Sequence, residues 1–121
     1  MRGAHVIARG LAKAGVEVIF SLSGNQIMVI YDACIDAGIR VIHVRHEAAA
    51  VYMAEAYAQL TDGIGVALVT AGPGLASAMG PMFTSMMSES PVLLLSGDSP
   101  IAQDGAGAFQ ELDQTAISAP L

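Results

Sequence analysis

The sequence contains few charged residues, no tryptophan and a single cysteine. Charged side chains make up 13% of its 121 residues, with 5 basic residues against 11 acidic ones. A protein that binds nucleic acid uses clustered lysine and arginine to neutralise phosphates, so a net charge of −6 argues against nucleic acid as a partner. Cys34 has no second cysteine with which to form an internal disulfide, which fits a reducing compartment.

Long hydrophobic runs are also missing. Apolar runs such as residues 92–95 are far shorter than the roughly 20 residues that a transmembrane helix needs. At the N-terminus the apolar residues are spaced rather than continuous, which is unlike a secretory signal. We therefore expect a cytoplasmic protein without a membrane partner.

Hydrophobic residues, in contrast, are abundant. They make up 54% of the chain, which excludes a disordered protein. A length of 121 residues fits one hydrophobic core, so we expect residues 1–121 to form a single domain. The hydrophobic fraction exceeds that of a typical free-standing domain, and we expect the surplus to be buried against further chain or a partner subunit.

Helical and strand patterns alternate along the chain. Runs rich in β-branched residues predict strands at residues 17–20, 39–44, 65–70 and 91–96. Apolar residues at helical spacing predict a first helix with Val6, Ile7 and Leu11, together with Ala8 and Ala12, on its apolar face, followed by helices at residues 27–34, 47–60 and 75–88. Apolar strands separated by helices indicate an α/β fold, with a parallel sheet and helices on both faces.

The loops that follow the predicted strands define the expected position of a site. In such sheets, ligands bind beyond the carboxyl ends of the strands, so residues 21–25, 45–47, 71–74 and 97–110 should gather at one edge. Gly72, Pro73 and Gly74 form a turn in which glycine lets the backbone approach a ligand and proline fixes the shape. The turn matches neither a Walker loop nor a dinucleotide fingerprint, and a purely structural turn remains an equal interpretation.

Glu47 follows the second predicted strand and begins the third predicted helix. An acidic residue at a helix N-terminus stabilises the helix by about 0.3–1 kcal/mol, and that structural interpretation is favoured when the residue is taken alone. The alternative is a functional carboxylate at the ligand-binding edge.

Four segments, in matching order and at matching separations, resemble a known family. They are residues 20–25 (FSLSGN), 45–47 (RHE) with 54–58 (AEAYA), 65–74 (GVALVTAGPG), and 108–114 (AFQELDQ). They are similar to the N-terminal, pyrimidine-binding domain of acetolactate synthase and its thiamine-diphosphate-dependent relatives, the 2-oxo acid decarboxylases and 2-hydroxyacyl-CoA lyases among them. The resemblance covers essentially the whole chain. The pairing of RHE with GPG is specific, and it favours the functional interpretation of Glu47.

The resemblance implies roles for individual residues. The glutamate at the position of Glu47 is the catalytic residue, which hydrogen-bonds N1′ of the cofactor's aminopyrimidine and so promotes loss of the proton from C2 of the thiazolium ring. The cofactor-binding set is Glu47, Gly24, Thr70, Gly72, Pro73 and Gly74. The substrate-side set is Leu22, Ser23, Asn25 and Gln110, although Gln110 is equally well interpreted as an exposed loop amide.

The resemblance also implies what lies outside this chain. The cofactor is thiamine diphosphate, Mg²⁺ is bound by a Gly-Asp-Gly segment of another domain, and full-length relatives can carry FAD. This chain has no Gly-Asp-Gly, and its Gly97-Asp98-Ser99 is interpreted as a loop, so no metal ligands are predicted. We expect a domain truncated at its C-terminal end, inactive without a diphosphate-binding domain or subunit, that acts in a homo-oligomer on a small-molecule substrate.

Departures from the family pattern keep two other hypotheses open. Ser23 stands where a proline is usual, and Ala71 stands where a polar residue is usual, which indicates a divergent subfamily. One alternative is therefore a binding or assembly module that keeps the fold without catalysis. The other is an unrelated nucleotide-binding α/β domain, against which the missing phosphate fingerprint argues.

Several further residues are interpreted as structural. Cys34 is expected in the core, and His46 is expected to make a structural hydrogen bond. Tyr52 and Tyr57 are expected to pack along the third helix. Four methionines of the fourth helix are assigned either to the core or to a subunit interface: Met79, Met82, Met86 and Met87.

Overall fold

Four parallel strands form the centre of the fold in the computed structural model, which describes residues 2–121. Met1, the first residue of the predicted domain, lies outside the described residues. The sheet order is β2-β1-β3-β4, and every neighbouring pair is parallel. The strands are β1 (Val18–Ser21), β2 (Arg40–His43), β3 (Gly65–Val69) and β4 (Val92–Ser96). The predicted α/β fold with a parallel sheet is confirmed, and each predicted strand is found within two residues of its expected ends.

Helices connect the strands and cover both faces of the sheet. The helices are α1 (Gly3–Lys13), α2 (Met28–Asp36), α3 (Glu47–Thr61), α4 (Pro73–Met87) and α5 (Gln114–Ser118). Two single 3-10 turns, Asn25–Ile27 and Ile101–Gln103, lie in the loops. Within residues 2–121, no helix is long and apolar enough to cross a membrane.

Alternate residues of the central strands supply two separate cores. On β1, Ile19 packs with Ala8 of α1 and Cys34 of α2, whereas Phe20 packs on the opposite face with residues of α3 and α4. β3 is buried along its whole length because both of its faces are covered. Cys34 is fully buried, as expected for a small core residue.

The predicted apolar face of α1 was wrong in part. The helix packs through Ala4, Ala8 and the partly buried Leu11, while Val6 is 58% and Ile7 is 42% exposed. Small side chains on the inner face let α1 approach α2 closely, and the larger β-branched residues are left outside.

One of the two tyrosines expected to pack along α3 is exposed. The buried residues of this helix include Ala50, Val51 and Ala54, whereas Tyr52 is 49% exposed, so the expectation that Tyr52 packs is wrong. Small residues face the sheet because α3 lies very close to β3: a β-carbon on Gly65 of β3 would overlap the carbonyl oxygen of Ala54. Tyr57 does pack, edge-to-face against Phe20 with ring centroids 5.9 Å apart.

The four methionines of α4 differ in burial. Met79 and Met82 are partly buried against the core and line a groove of about 430 Å³ between α4, β4 and α5. Met86 and Met87 are exposed near the end of the helix. The prediction of core packing therefore holds for the first pair only.

Candidate functional site

Glu47 is the first residue of α3, directly beyond the carboxyl end of β2. His46 adopts an extended conformation before it, and its Nδ1 accepts a hydrogen bond of 3.1 Å from the N–H of Ala48, which caps the helix. The structural hydrogen bond expected of His46 is therefore confirmed. Glu47 is half-buried, and its carboxylate makes no hydrogen bond to any other residue between 2 and 121. The cap fixes the start of the helix and leaves the carboxylate free to bind a ligand.

The turn of residues 72–74 lies at the start of α4, beyond β3. Gly72 has a φ of 60°, in the left-handed region, and Pro73 is the first residue of the helix. The N–H of Gly72 donates to Oε1 of Gln114 at 3.2 Å. A β-carbon on Gly72 would overlap the carbonyl oxygen of Gln110, so this glycine is required both by its conformation and by its neighbour.

Thr70 lies between two of the predicted loops. A β-carbon on Gly24 would overlap the Thr70 side chain, and one on Gly74 would lie 2.8 Å from Cγ2 of Thr70. The same β-carbon on Gly74 would lie 3.6 Å from Oε1 of Glu47. The structure thus brings Gly24, Thr70, Gly74 and Glu47, which belong to the predicted cofactor-binding set, into one small volume.

The substrate-side residues of the first loop are arranged differently. The Ser23 hydroxyl lies 3.3 Å from Nε2 of His43, so a hydrogen bond to β2 fixes the loop where the family pattern has a proline. Leu22 is partly buried against the core on the side of α3 and α4, and Asn25 is exposed at the start of its 3-10 turn. These three residues are near the same edge of the sheet but do not join the Thr70 cluster.

Gln110 is brought to the site by the long segment after β4. It has a φ of 64°, which is uncommon for a residue with a side chain. Its backbone faces Gly72, and its Oε1 accepts a hydrogen bond of 3.2 Å from Nε2 of Gln26. Gln110 is therefore anchored to two of the other loops rather than being an unattached surface amide.

Glu111 organises the segment in which Gln110 lies. Its carboxylate accepts hydrogen bonds from the N–H groups of Gly105, Gly107 (2.7 Å) and Ala108 (3.0 Å). The N–H of Gly105 is the main reason that the pKa of Glu111 is lowered from 4.5. A carboxylate that accepts several backbone hydrogen bonds is stabilised in its charged form, so the segment is held by an anion at neutral pH.

Two glutamines that connect these loops were not predicted as site residues. Oε1 of Gln26 accepts a hydrogen bond of 2.5 Å from the Thr70 hydroxyl. Gln114 accepts from Gly72 and from the Ser96 hydroxyl (2.9 Å), and donates to the carbonyl of Gly97 (2.9 Å). The only signal in the sequence is their position, since Gln26 directly follows the first loop and Gln114 ends the fourth matching segment.

Fold and candidate site together define a class of protein, an α/β domain whose strand-end loops meet at one edge of a parallel sheet. The family described as "Thiamine pyrophosphate enzyme, N-terminal TPP binding domain" matches residues 1–117. The chain belongs to this family.

The relatives that the chain matches carry two kinds of name. It is 39% identical over 121 residues to an acetolactate synthase large subunit of Mycobacterium tuberculosis. The matched region covers all of this chain and 22% of the relative. It is 42% identical over 119 residues to a 2-hydroxyacyl-CoA lyase 2 of Danio rerio and 41% identical to the one of Homo sapiens, with 98% of this chain and 19% of each relative covered. The chain thus spans about a fifth of the length of these relatives.

Proposed function

We propose that this chain supplies the pyrimidine-facing wall of a thiamine diphosphate site, with Glu47 as the catalytic residue. The enzyme that contains it would be an acetolactate synthase-like transferase or a lyase acting on a small 2-oxo acid or a related acyl donor. The observation that carries the proposal is the position of Glu47. Its half-buried carboxylate lies beside Gly74, without a partner among residues 2–121.

The residues around Glu47 fit an aminopyrimidine ring. A flat ring needs an adjoining surface without side chains. Gly74 provides one, because a β-carbon at this position would be in van der Waals contact with the Glu47 carboxylate and would cover one side of it. A ring nitrogen needs a carboxyl group with which to share a proton, and Glu47 offers one. Thr70, Gly24, Gly72 and Pro73 would complete the wall by fixing the backbone on either side.

Thiamine diphosphate, when bound, supplies the electron sink for cleavage or formation of a bond next to a carbonyl group. The chain's own residues orient the ring and move one proton. Glu47 would hold that proton at its carboxylate, and the His46 cap keeps the start of α3, and with it Glu47, in place.

Other components of the enzyme are assigned to parts that this chain does not contain. Mg²⁺ and the diphosphate group would be held by a diphosphate-binding domain or subunit, and FAD, in a flavin-containing member, by the rest of the protein. In the described residues, no cluster of three histidine, cysteine, aspartate or glutamate side chains could hold a metal ion. We also propose a homo-oligomer in the cytoplasm, with Leu22, Ser23, Asn25 and Gln110 on the substrate side.

Cofactor-dependent turnover tests this function. The protein that contains this chain, together with its diphosphate-binding domain or subunit, would be assayed for consumption of pyruvate and other 2-oxo acids with and without thiamine diphosphate and Mg²⁺. Turnover that requires both is the expected result. Glu47→Gln should lower turnover by about 10²–10⁴-fold if the glutamate acts as an acid or base. Glu17→Gln is its matched control, because Glu17 is exposed just before β1, at the opposite edge of the sheet.

The alternative of a non-catalytic module predicts a different outcome. A folded protein that binds no thiamine diphosphate in calorimetry and consumes no 2-oxo acid or acyl-CoA would contradict the proposed enzyme. Binding without turnover of any of these substrates would favour the assembly module instead.

A further inference from the structure

The side chain of Gln26 connects three loops that follow different strands. It is half-buried in the 3-10 turn after β1. Its Oε1 accepts a hydrogen bond of 2.5 Å from Thr70, beyond β3, and its Nε2 donates one of 3.2 Å to Oε1 of Gln110, in the segment beyond β4. Close packing reinforces this position, since a β-carbon on Gly97 would lie 2.6 Å from Cβ of Gln26.

We propose that Gln26 is a positioning residue that holds Gln110 over the turn of residues 72–74 and sets which atoms of the Gln110 amide face the substrate. Only the part of the proposal that concerns the substrate rests on the proposed function. The hydrogen-bonded chain Thr70–Gln26–Gln110 is a property of the fold by itself.

The backbone of Gln110 explains why such a tether is needed. A residue with a side chain adopts a φ of 64° only where its surroundings fix it. Besides the hydrogen bonds by which Glu111 holds the segment, Gln110 itself makes two contacts: the approach of its carbonyl oxygen to Gly72, and the hydrogen bond from Gln26. The first contact is close packing alone, so the hydrogen bond from Gln26 supplies the directional part of the restraint.

The hydrogen bond also gives the Gln110 amide a defined polarity. Because Oε1 of Gln110 accepts from Gln26, the donors of its Nε2 are left for another partner. A group with donors recognises an acceptor, such as the carboxylate of a 2-oxo acid or the carbonyl oxygen of an acyl donor. The substrate class of the proposed function has both of these acceptors.

Kinetics of three variants test the coupling between the two glutamines. Gln26→Met keeps the length of the side chain without its hydrogen bonds, and we expect it to raise the KM for the 2-oxo acid about tenfold. The value of kcat should change less than twofold. In the Gln110→Met background, Gln26→Met should have no further effect, because a residue that acts through Gln110 has nothing left to position.

Hydrogen exchange tests the same claim without turnover. In Gln26→Met, the backbone amides of residues 105–111 should exchange several times faster, while those of β3 should be unchanged. Gln103→Met is the matched control, because Gln103 is exposed in the 3-10 turn after β4. Its KM and its amide exchange should both match those of the wild type.

Failure of the proposal and failure of the proposed function give different results. A wild-type protein without cofactor-dependent turnover would refute the proposed function, and hydrogen exchange would still decide whether Gln26 holds the Gln110 segment. An active wild type with unchanged KM in Gln26→Met would overturn the proposal. Unchanged exchange in residues 105–111, or effects of Gln26→Met and Gln110→Met that simply add, would overturn it as well.

Discussion

Gly74 and Glu47 lie in the first turns of neighbouring helices, so close that a β-carbon on Gly74 would stand 3.6 Å from Oε1 of the glutamate. The same β-carbon would be 2.8 Å from the methyl group of Thr70, which is too close for two carbon atoms. The absence of one side chain at Gly74 therefore keeps the carboxylate accessible and lets the loop after β3 pack beneath it.

Substitution of Gly74 by alanine should affect both stability and cofactor binding. The added methyl group forces Thr70 to move, and such overpacking lowers the free energy of unfolding by about 1–3 kcal/mol. It also covers part of the wall beside Glu47, so the affinity for thiamine diphosphate should fall. Urea unfolding and cofactor titration by calorimetry would measure the two effects.

Gly80→Ala is the matched control on the same helix. Nothing lies within 4 Å of a β-carbon on Gly80, so the change should stabilise α4 by about 0.5–1 kcal/mol and leave cofactor affinity unchanged. If Gly74→Ala behaved like Gly80→Ala in both measurements, the close contact with Thr70 and Glu47 would be refuted.

Alkaline pH should destabilise the protein through Tyr31 and Cys34. Burial raises the pKa of Tyr31 above its ordinary 10.0, partly offset by its hydrogen bond to Ser21, and burial raises the pKa of Cys34 above 9.0. Because the folded protein holds both protons more tightly than the unfolded chain, their contribution to stability is complete below about pH 9 and is lost as the pH rises through the folded-state values. The free energy of unfolding in urea should therefore decline between pH 9 and 11.

Tyr31→Phe separates titration from hydrogen bonding. The variant should lose about 1 kcal/mol at pH 7, since the tyrosine hydroxyl donates to Ser21, whose own hydroxyl donates to the carbonyl of Leu68. It should also show a smaller decline at alkaline pH than the wild type. Parallel pH profiles for the two proteins would rule out Tyr31 as a cause.

Acid should loosen the segment that carries Gln110. Backbone N–H groups, that of Gly105 above all, lower the pKa of Glu111 from 4.5. The stabilisation is therefore fully present above pH 4.5 and is lost as the pH falls through the lowered value. Amide exchange of residues 105–108, corrected for its intrinsic pH dependence, should accelerate in that range. Glu111→Gln should show the fast exchange already at pH 7, and slow exchange in this variant would contradict the role of the carboxylate.

The sequence allowed prediction of the sheet because its strands are buried on both sides. β3 is apolar at every position, and an apolar run between helices is typical of a strand at the centre of a parallel sheet. The buried faces of the helices were harder to predict. In α1 both Ala4 with Ala8 and Ile7 with Leu11 are spaced four residues apart, as on one helical face, and only the packing against α2 decides that Ala4 and Ala8 are inside while Ile7 is exposed.

The loops of the candidate site were predictable for a different reason. Glu47, Gly72 and Gly74 belong to local patterns next to strand ends, and the topology of a parallel sheet brings those ends to one edge. Gln26 could not be identified in this way. Its partner Gln110 is 84 residues distant in the chain, and an amide side chain carries no local sign of a contact across that separation.

The proposed role of Glu47 is tested most directly by the exchange of the C2 hydrogen of enzyme-bound thiamine diphosphate with solvent deuterium, followed by NMR after acid quench. The assembled enzyme is predicted to exchange this hydrogen at least about 10²-fold faster than its Glu47→Gln variant, because the variant has no carboxyl proton to move. Cofactor affinity should differ by only a few fold, and Glu17→Gln should exchange like the wild type. An equal exchange rate in Glu47→Gln, with the cofactor bound, would contradict the assignment of Glu47 as the activating residue.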